Sequence, residues 1–147
     1  GYARYEVSAW SLPGYRCHHN LNYWSFGDYL GIGAGAHGKL TDLAGGQVFR
    51  RAKLRQPESY LDAADPLAEQ RLLGEADLVG EFMLNALRLD QGFDTSLFPA
   101  RTGLPLTAVA DRLDALQARG LLEREEGTIR ATPLGARYLD SVVAEFF

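Results

Sequence analysis

The chain has 147 residues, enough for one domain or for one small domain carrying part of another. Its 46% apolar and 23% charged residues are those of a globular protein, which excludes intrinsic disorder and a fibrous repeat. Fifteen basic against nineteen acidic residues give a net charge of −4, a poor balance for a protein whose main task is to neutralise phosphates.

No apolar run approaches the roughly 18 residues of a membrane helix, and the opening Gly-Tyr-Ala-Arg-Tyr-Glu is neither a signal peptide nor a start with methionine. A soluble chain that begins within a longer one is expected. The single cysteine, Cys17, leaves no internal disulfide framework and no cluster held by four thiolates of this chain.

In chain order, Tyr5-Glu6-Val7-Ser8-Ala9-Trp10 has the aromatic and β-branched content and rough alternation of a strand, ended by Pro13-Gly14. Asp28 to Ala36 is a small-residue, apolar run without alternation. It predicts a strand buried on both faces, as in a parallel sheet, with glycines where another group approaches the backbone. Gln47 to Leu54 is the next strand, after the turn residues Asp42-Leu43-Ala44-Gly45-Gly46. A buried parallel strand needs covering helices that this segment is too short to supply, so its partners are expected outside the chain.

The character changes near Pro57, which places a boundary within Gln56 to Asp65 and divides the chain into residues 1–56 and 57–147. Asp65-Pro66 reads as a helix start, cap residue followed by first-turn proline. Leu78, Phe82, Ala86 and Leu89 then draw one helical stripe, closed by Gly92. Pro105 opens a second helix with Leu106, Val109, Leu113 and Leu116 on one face and Gly120 beyond its end. Leu121 to Arg124 and Thr128 to Ala131 flank Glu125-Glu126-Gly127 as a hairpin. Thr132-Pro133 starts a last helix whose stripe is Leu134, Tyr138, Val142 and Phe146. Helix, short helix, helix, hairpin, helix is the order of a winged-helix domain.

Three groups of residues bear on chemistry. Gly31-Ile32-Gly33-Ala34-Gly35-Ala36 formally fits the dinucleotide fingerprint, but Lys39-Leu40-Thr41-Asp42 and a glycine turn follow where that fingerprint requires a helix. Cys17, His18, His19, Asn20, Tyr23 and Trp24, with His37 beyond, supply the ligand types of zinc and haem iron and the flat rings that suit a porphyrin. Their spacing lacks the paired form of a structural zinc site, and a solvated His18 with Trp24 in the core is the plain alternative. Arg112 and Arg119 lie on the presumed second long helix of the winged-helix order beside Asp111 and Asp114. From Arg101 to Phe147 six arginines face seven acidic residues, which favours an intramolecular docking role over nucleic-acid binding.

Tyr5-Glu6-Val7-Ser8, Pro13-Gly14-Tyr15, His19-Asn20-Leu21-Asn22-Tyr23-Trp24 and Gly27 to Gly38 closely resemble the end of the catalytic domain of the radical SAM haem chaperone family HemW, which is coproporphyrinogen III oxidase-like. Phe82-Met83-Leu84-Asn85 and Arg101-Thr102-Gly103-Leu104 are similar to that family's C-terminal domain. The resemblance implies an α+β fold: the end of a partial (β/α) radical SAM barrel over residues 1–56, followed by a mainly helical, winged-helix-like C-terminal domain over 57–147.

It implies S-adenosylmethionine and a [4Fe–4S] cluster in the intact protein. The family's C-x-x-x-C-x-x-C motif has no match here, so this portion alone is not expected to perform radical chemistry. The H-N-x-x-Y motif matches His19, Asn20 and Tyr23 and implies haem binding, with His19 the axial ligand, Cys17 a weaker alternative and Tyr23 and Trp24 offering ring contact. Asn20 is expected to fix a loop through its own backbone. Gly33, Gly35, Ala36 and His37 are implied near S-adenosylmethionine. Two functions follow for the intact protein: a cytoplasmic carrier passing haem to haemoproteins, in peripheral contact with a membrane, or an oxidase decarboxylating coproporphyrinogen III to protoporphyrinogen IX. The expected partners are haem, the recipient haemoproteins and the N-terminal radical SAM domain, without nucleic acid. The exposed strand edges of the barrel remnant predict either a homodimer or poor order there.

Overall fold

The computed structural model describes residues Gly1 to Phe147. In chain order the elements are β1 (Ala3–Glu6), β2 (Ala9–Ser11), α1 (His18–Trp24), β3 (His37–Asp42), β4 (Gln47–Lys53), α2 (Pro57–Asp62), β5 (Leu67–Leu72) and α3 (Glu75–Ala86). They continue with β6 (Phe93–Asp94), α4 (Leu97–Thr102), a 3-10 turn (Leu106–Val109), α5 (Ala110–Ala118), β7 (Leu122–Glu125), β8 (Thr128–Ala131), α6 (Pro133–Arg137) and α7 (Leu139–Ala144). The chain forms two compact units, one of Gly1–Phe26 with Glu75–Phe147, the other of Gly27–Gly74.

In the first unit β1 and β2 form an antiparallel hairpin, with Arg4 opposite Trp10, and β6-β8-β7 form an antiparallel sheet. The stripe expected from Leu78, Phe82 and Ala86 is the buried face of α3, with Val79 and Met83 beside it. Phe82 is the centre of the core. Its ring meets Phe26, Phe93 and Phe98 edge-on, at centroid distances of 5.9, 5.0 and 5.1 Å, the arrangement that aromatic quadrupoles favour. Leu113 and Leu116 are the buried face of α5, and Val109 is buried at the end of the 3-10 turn before it. The β7–β8 hairpin closes through Glu126 and Gly127, both at positive φ, as a two-residue turn matched to strand twist requires.

The last helix is shorter than its stripe predicts. Thr132 caps α6 by accepting from the Gly135 amide at 3.0 Å, and Pro133 follows. A Cβ on Gly135 would lie 1.9 Å from the Leu121 carbonyl oxygen, so this turn docks through its backbone. The helix breaks at Tyr138 (φ −117°, ψ 32°) before α7. Val142 and Phe146 are buried as expected, but Leu134 and Tyr138 are exposed.

The second unit is built on the antiparallel sheet β3-β4-β5 with α2 in the β4–β5 connection. Two expectations are corrected here. Asp28 to Ala36 is not a strand buried on both faces: it joins a ladder only where Tyr29 bridges Lys39, and Leu30 and Ile32 are exposed. Gly33 (φ 105°) and Gly35 (φ 71°) take conformations that no extended strand allows. Asp65-Pro66 does not open a helix: the Asp65 carboxylate accepts from the Leu67 amide at 3.0 Å, and the chain enters β5. The division after residue 56 falls between β4 and β5, which are hydrogen-bonded neighbours in one sheet. A composition change marks that point, but strand pairing carries the compact unit on to Gly74.

Candidate functional site

Residues 18–24, expected as a loop, form α1. No side chain caps it, and none of its residues is fully buried. The next residue but one, Phe26, ends it at φ 54° and places its ring in the core against Phe82. Helical spacing sorts the motif into two stripes. His19 and Tyr23, one turn apart, have ring centroids 6.5 Å apart. Asn20 and Trp24 form the neighbouring stripe, where the Asn20 amide donates to the Tyr5 hydroxyl at 3.5 Å instead of bonding its own backbone.

Trp24 is half-buried and not a core residue. The Arg88 guanidinium carbon lies 4.4 Å from its ring centroid, and the Tyr23 ring meets it edge-on at 5.2 Å. Cys17 directly precedes the helix, and Cys17, His18 and His19 are exposed. No three His, Cys, Asp or Glu side chains converge to hold a bare metal ion. Haem iron makes a lighter demand, since its porphyrin supplies four ligands and the protein supplies one or two axial ones.

Sequence reasoning missed the ion pair behind the Trp24 contact. Glu6 of β1 is 1% exposed, its Oε1 accepts from Arg88 Nε at 2.5 Å, and its Oε2 accepts from the Ser8 amide and hydroxyl at 2.9 and 3.0 Å. No local signal marks the pair, because 82 residues separate the partners.

Gly33, Gly35, Ala36 and His37 lie together in the second unit. The Gly33 amide donates to the Tyr60 hydroxyl at 3.1 Å, and the Gly35 amide donates to the Leu54 carbonyl at 2.8 Å. Gly31 must be glycine because a Cβ there would lie 2.2 Å from the His37 carbonyl oxygen. His37 itself is exposed at the start of β3. A cavity of about 230 Å³ opens beside this turn, lined by Leu30, Ile32, Ala36 and Leu40, the Tyr29 and Tyr60 rings, and two cations, Arg51 and Lys53. Behind it, Lys39 is 1% exposed and bonds Asp28 at 2.8 Å. Burial pushes the Asp28 carboxyl up, but hydrogen bonds from Lys39 and from the Thr41 amide and hydroxyl, with the Lys39 charge, outweigh it and hold the carboxyl below its ordinary value.

The sequence profile of the HemN C-terminal domain matches residues 73–138. The haem chaperone HemW of Escherichia coli K12 is 40% identical over 146 residues, covering 99% of this chain and 38% of the relative. HemW of Haemophilus influenzae Rd is 38% identical over 147 residues, with the same coverage. The chain matches the C-terminal portion of the HemW family. It spans 38% of the length of these HemW proteins. The solved Escherichia coli coproporphyrinogen III oxidase HemN, described as a radical SAM enzyme, superposes with a TM-score of 0.62 over 99% of this chain and 37% of that one. At 15% identity that likeness shows a shared mixed α/β fold. No helix is long and apolar enough to cross a membrane.

Proposed function

We propose that this chain is the haem-bearing C-terminal part of a radical SAM haem chaperone, with α1 carrying the haem. The supporting observation is that the motif His19-Asn20-Leu21-Asn22-Tyr23 forms a helix whose His19 and Tyr23 share one stripe, in a chain 40% identical to a protein named haem chaperone. His19 is the axial ligand, Cys17 the weaker alternative, and Tyr23 a ring beside the porphyrin edge. Asn20, on the neighbouring stripe, donates to the Tyr5 hydroxyl. The exposure of Cys17, His18 and His19 suits a group that is handed on, since ligand exchange at an open site needs no cavity to open. Haem bound here would supply the cargo, and its recipients would be haemoproteins.

In this reading the chain joins the end of a partial (β/α) radical SAM barrel to a winged-helix-like domain, whose expected order corresponds to α3, α4, α5, β7–β8 and α6–α7. S-adenosylmethionine in the intact protein lies near Gly33, Gly35, Ala36 and His37, and the cavity that Ala36 lines offers aromatic rings and cations beside them. The [4Fe–4S] ligands are supplied by the remainder of the longer protein. The oxidase reading has a shared fold and the HemN C-terminal domain profile over residues 73–138 behind it, whereas the relatives similar over 99% of the chain carry the chaperone name.

Haem titration tests the proposal. His19→Ala abolishes a saturable Soret shift that His18→Ala retains; equal loss from both variants would remove His19 from the ligand role. Coproporphyrinogen turnover by full-length protein with a reconstituted cluster would instead favour the oxidase.

A further inference from the structure

We infer that Arg88 is the positioning residue of α1, setting the orientation of the His19–Tyr23 stripe through Trp24. The inference deepens the haem reading and rests on it for its functional consequence. A seven-residue helix with no side-chain cap and no fully buried residue is not stable by itself, so its place is set by a few contacts from outside. Phe26 fixes where it ends. What fixes its rotation about its axis is the Asn20/Trp24 stripe.

The Asn20 bond to Tyr5 is long at 3.5 Å, and the Trp24 indole N–H, though buried, has no acceptor. No hydrogen bond therefore orients the Trp24 ring. Its plane is defined by the guanidinium at 4.4 Å on its face and by the Tyr23 ring at its edge. Arg88 is in turn anchored at both its side chain and its backbone. Its Nε is held by the buried Glu6, whose other oxygen is occupied by Ser8, and its carbonyl accepts from the Val7 amide at 3.2 Å. The result is a continuous path, Glu6 to Arg88 to Trp24 to Tyr23 to His19, from the buried end of β1 to the ligand-bearing stripe.

Arg88→Lys separates positioning from mere charge balance, because an ammonium can still compensate Glu6 but offers no flat fork to stack on the indole. In a Trp10→Phe background Trp24 is the only indole, so its near-UV circular dichroism and emission report this contact alone. The expected result is unchanged cooperative unfolding, an altered Trp24 signal, and amide exchange at Leu21 and Ser25 faster by about tenfold or more. Haem affinity is then about tenfold weaker, with iron ligation still lost only on His19→Ala. Should Arg88→Lys fail to fold, Glu6→Gln/Arg88→Gln removes both charges together and is read in the same way. Wild-type exchange in α1 with an unaltered Trp24 signal would overturn the inference, as would faster exchange spread evenly through the Phe82 core. If the wild-type chain shifts no Soret band, the haem reading fails, while the exchange comparison still decides the role of Arg88.

Discussion

Arg88 Nε lies 2.5 Å from Glu6 Oε1, joining a carboxylate that is 1% exposed to a guanidinium that keeps 27% of its side-chain surface in solvent. A buried charge left without its partner is far more costly than the pair is worth. Arg88→Ala therefore destabilises the chain by about 3 kcal/mol, while Glu6→Gln, which leaves the partly exposed cation free to find water, costs about half of that. Urea unfolding of both variants checks the order; equal effects would show that burial of Glu6 is not the controlling term.

Phe82 is fully buried and makes three edge-on ring contacts. Phe82→Ala is expected to cost about 4 kcal/mol, and Phe82→Leu about 1 to 2 kcal/mol. Because Phe26 is one of the three rings, thermal melting of Phe82→Leu should be accompanied by faster amide exchange at the end of α1.

Asp28 predicts an acid dependence confined to the second unit. Its folded-state value lies below the ordinary 3.8, so its contribution is present above that pH and is lost as pH falls through the folded value. Asp28→Asn should flatten the acid limb of stability below about pH 4 and lower stability at pH 7, because Lys39 stays buried without its carboxylate. Amide exchange in β3 and β4 as a function of pH measures this. An unaltered acid limb in the variant would assign the slope to other carboxylates.

Glycines divide by what a side chain would meet. Gly31→Ala drives a Cβ to 2.2 Å from the His37 carbonyl oxygen, so backbone must move and a loss of about 2 kcal/mol is expected. Gly80→Ala brings its Cβ first against the Phe147 ring, at 2.4 Å; that residue is 68% exposed and its ring can turn away, so the gain in helix propensity makes the change neutral or stabilising by up to about 1 kcal/mol. Melting temperatures of the two variants distinguish these outcomes.

The helical half was readable because its signals are local. Leu78, Phe82 and Ala86 repeat at helical spacing, Thr132-Pro133 is a cap followed by a proline, and Glu126-Gly127 is a tight turn. Asp65-Pro66 misled because the same carboxylate that caps a helix can instead bond an amide two residues on and start a strand. The run from Asp28 to Ala36 misled because apolar composition carries no sign of φ, and Gly33 and Gly35 turn the chain that Leu30 and Ile32 suggest is buried. At the candidate site the motif residues were legible as types, but their division into a His19/Tyr23 stripe and an Asn20/Trp24 stripe needed the helix. The Glu6–Arg88 anchor needed the tertiary fold.

The measurement that bears most directly on α1 as the haem carrier is a Soret titration of haem into the wild-type chain, His18→Ala and His19→Ala. Saturable one-to-one binding by the first two, lost in the third, is the result expected if His19 ligates the iron from the exposed stripe of α1. Binding of equal strength by all three, or by none, would contradict it.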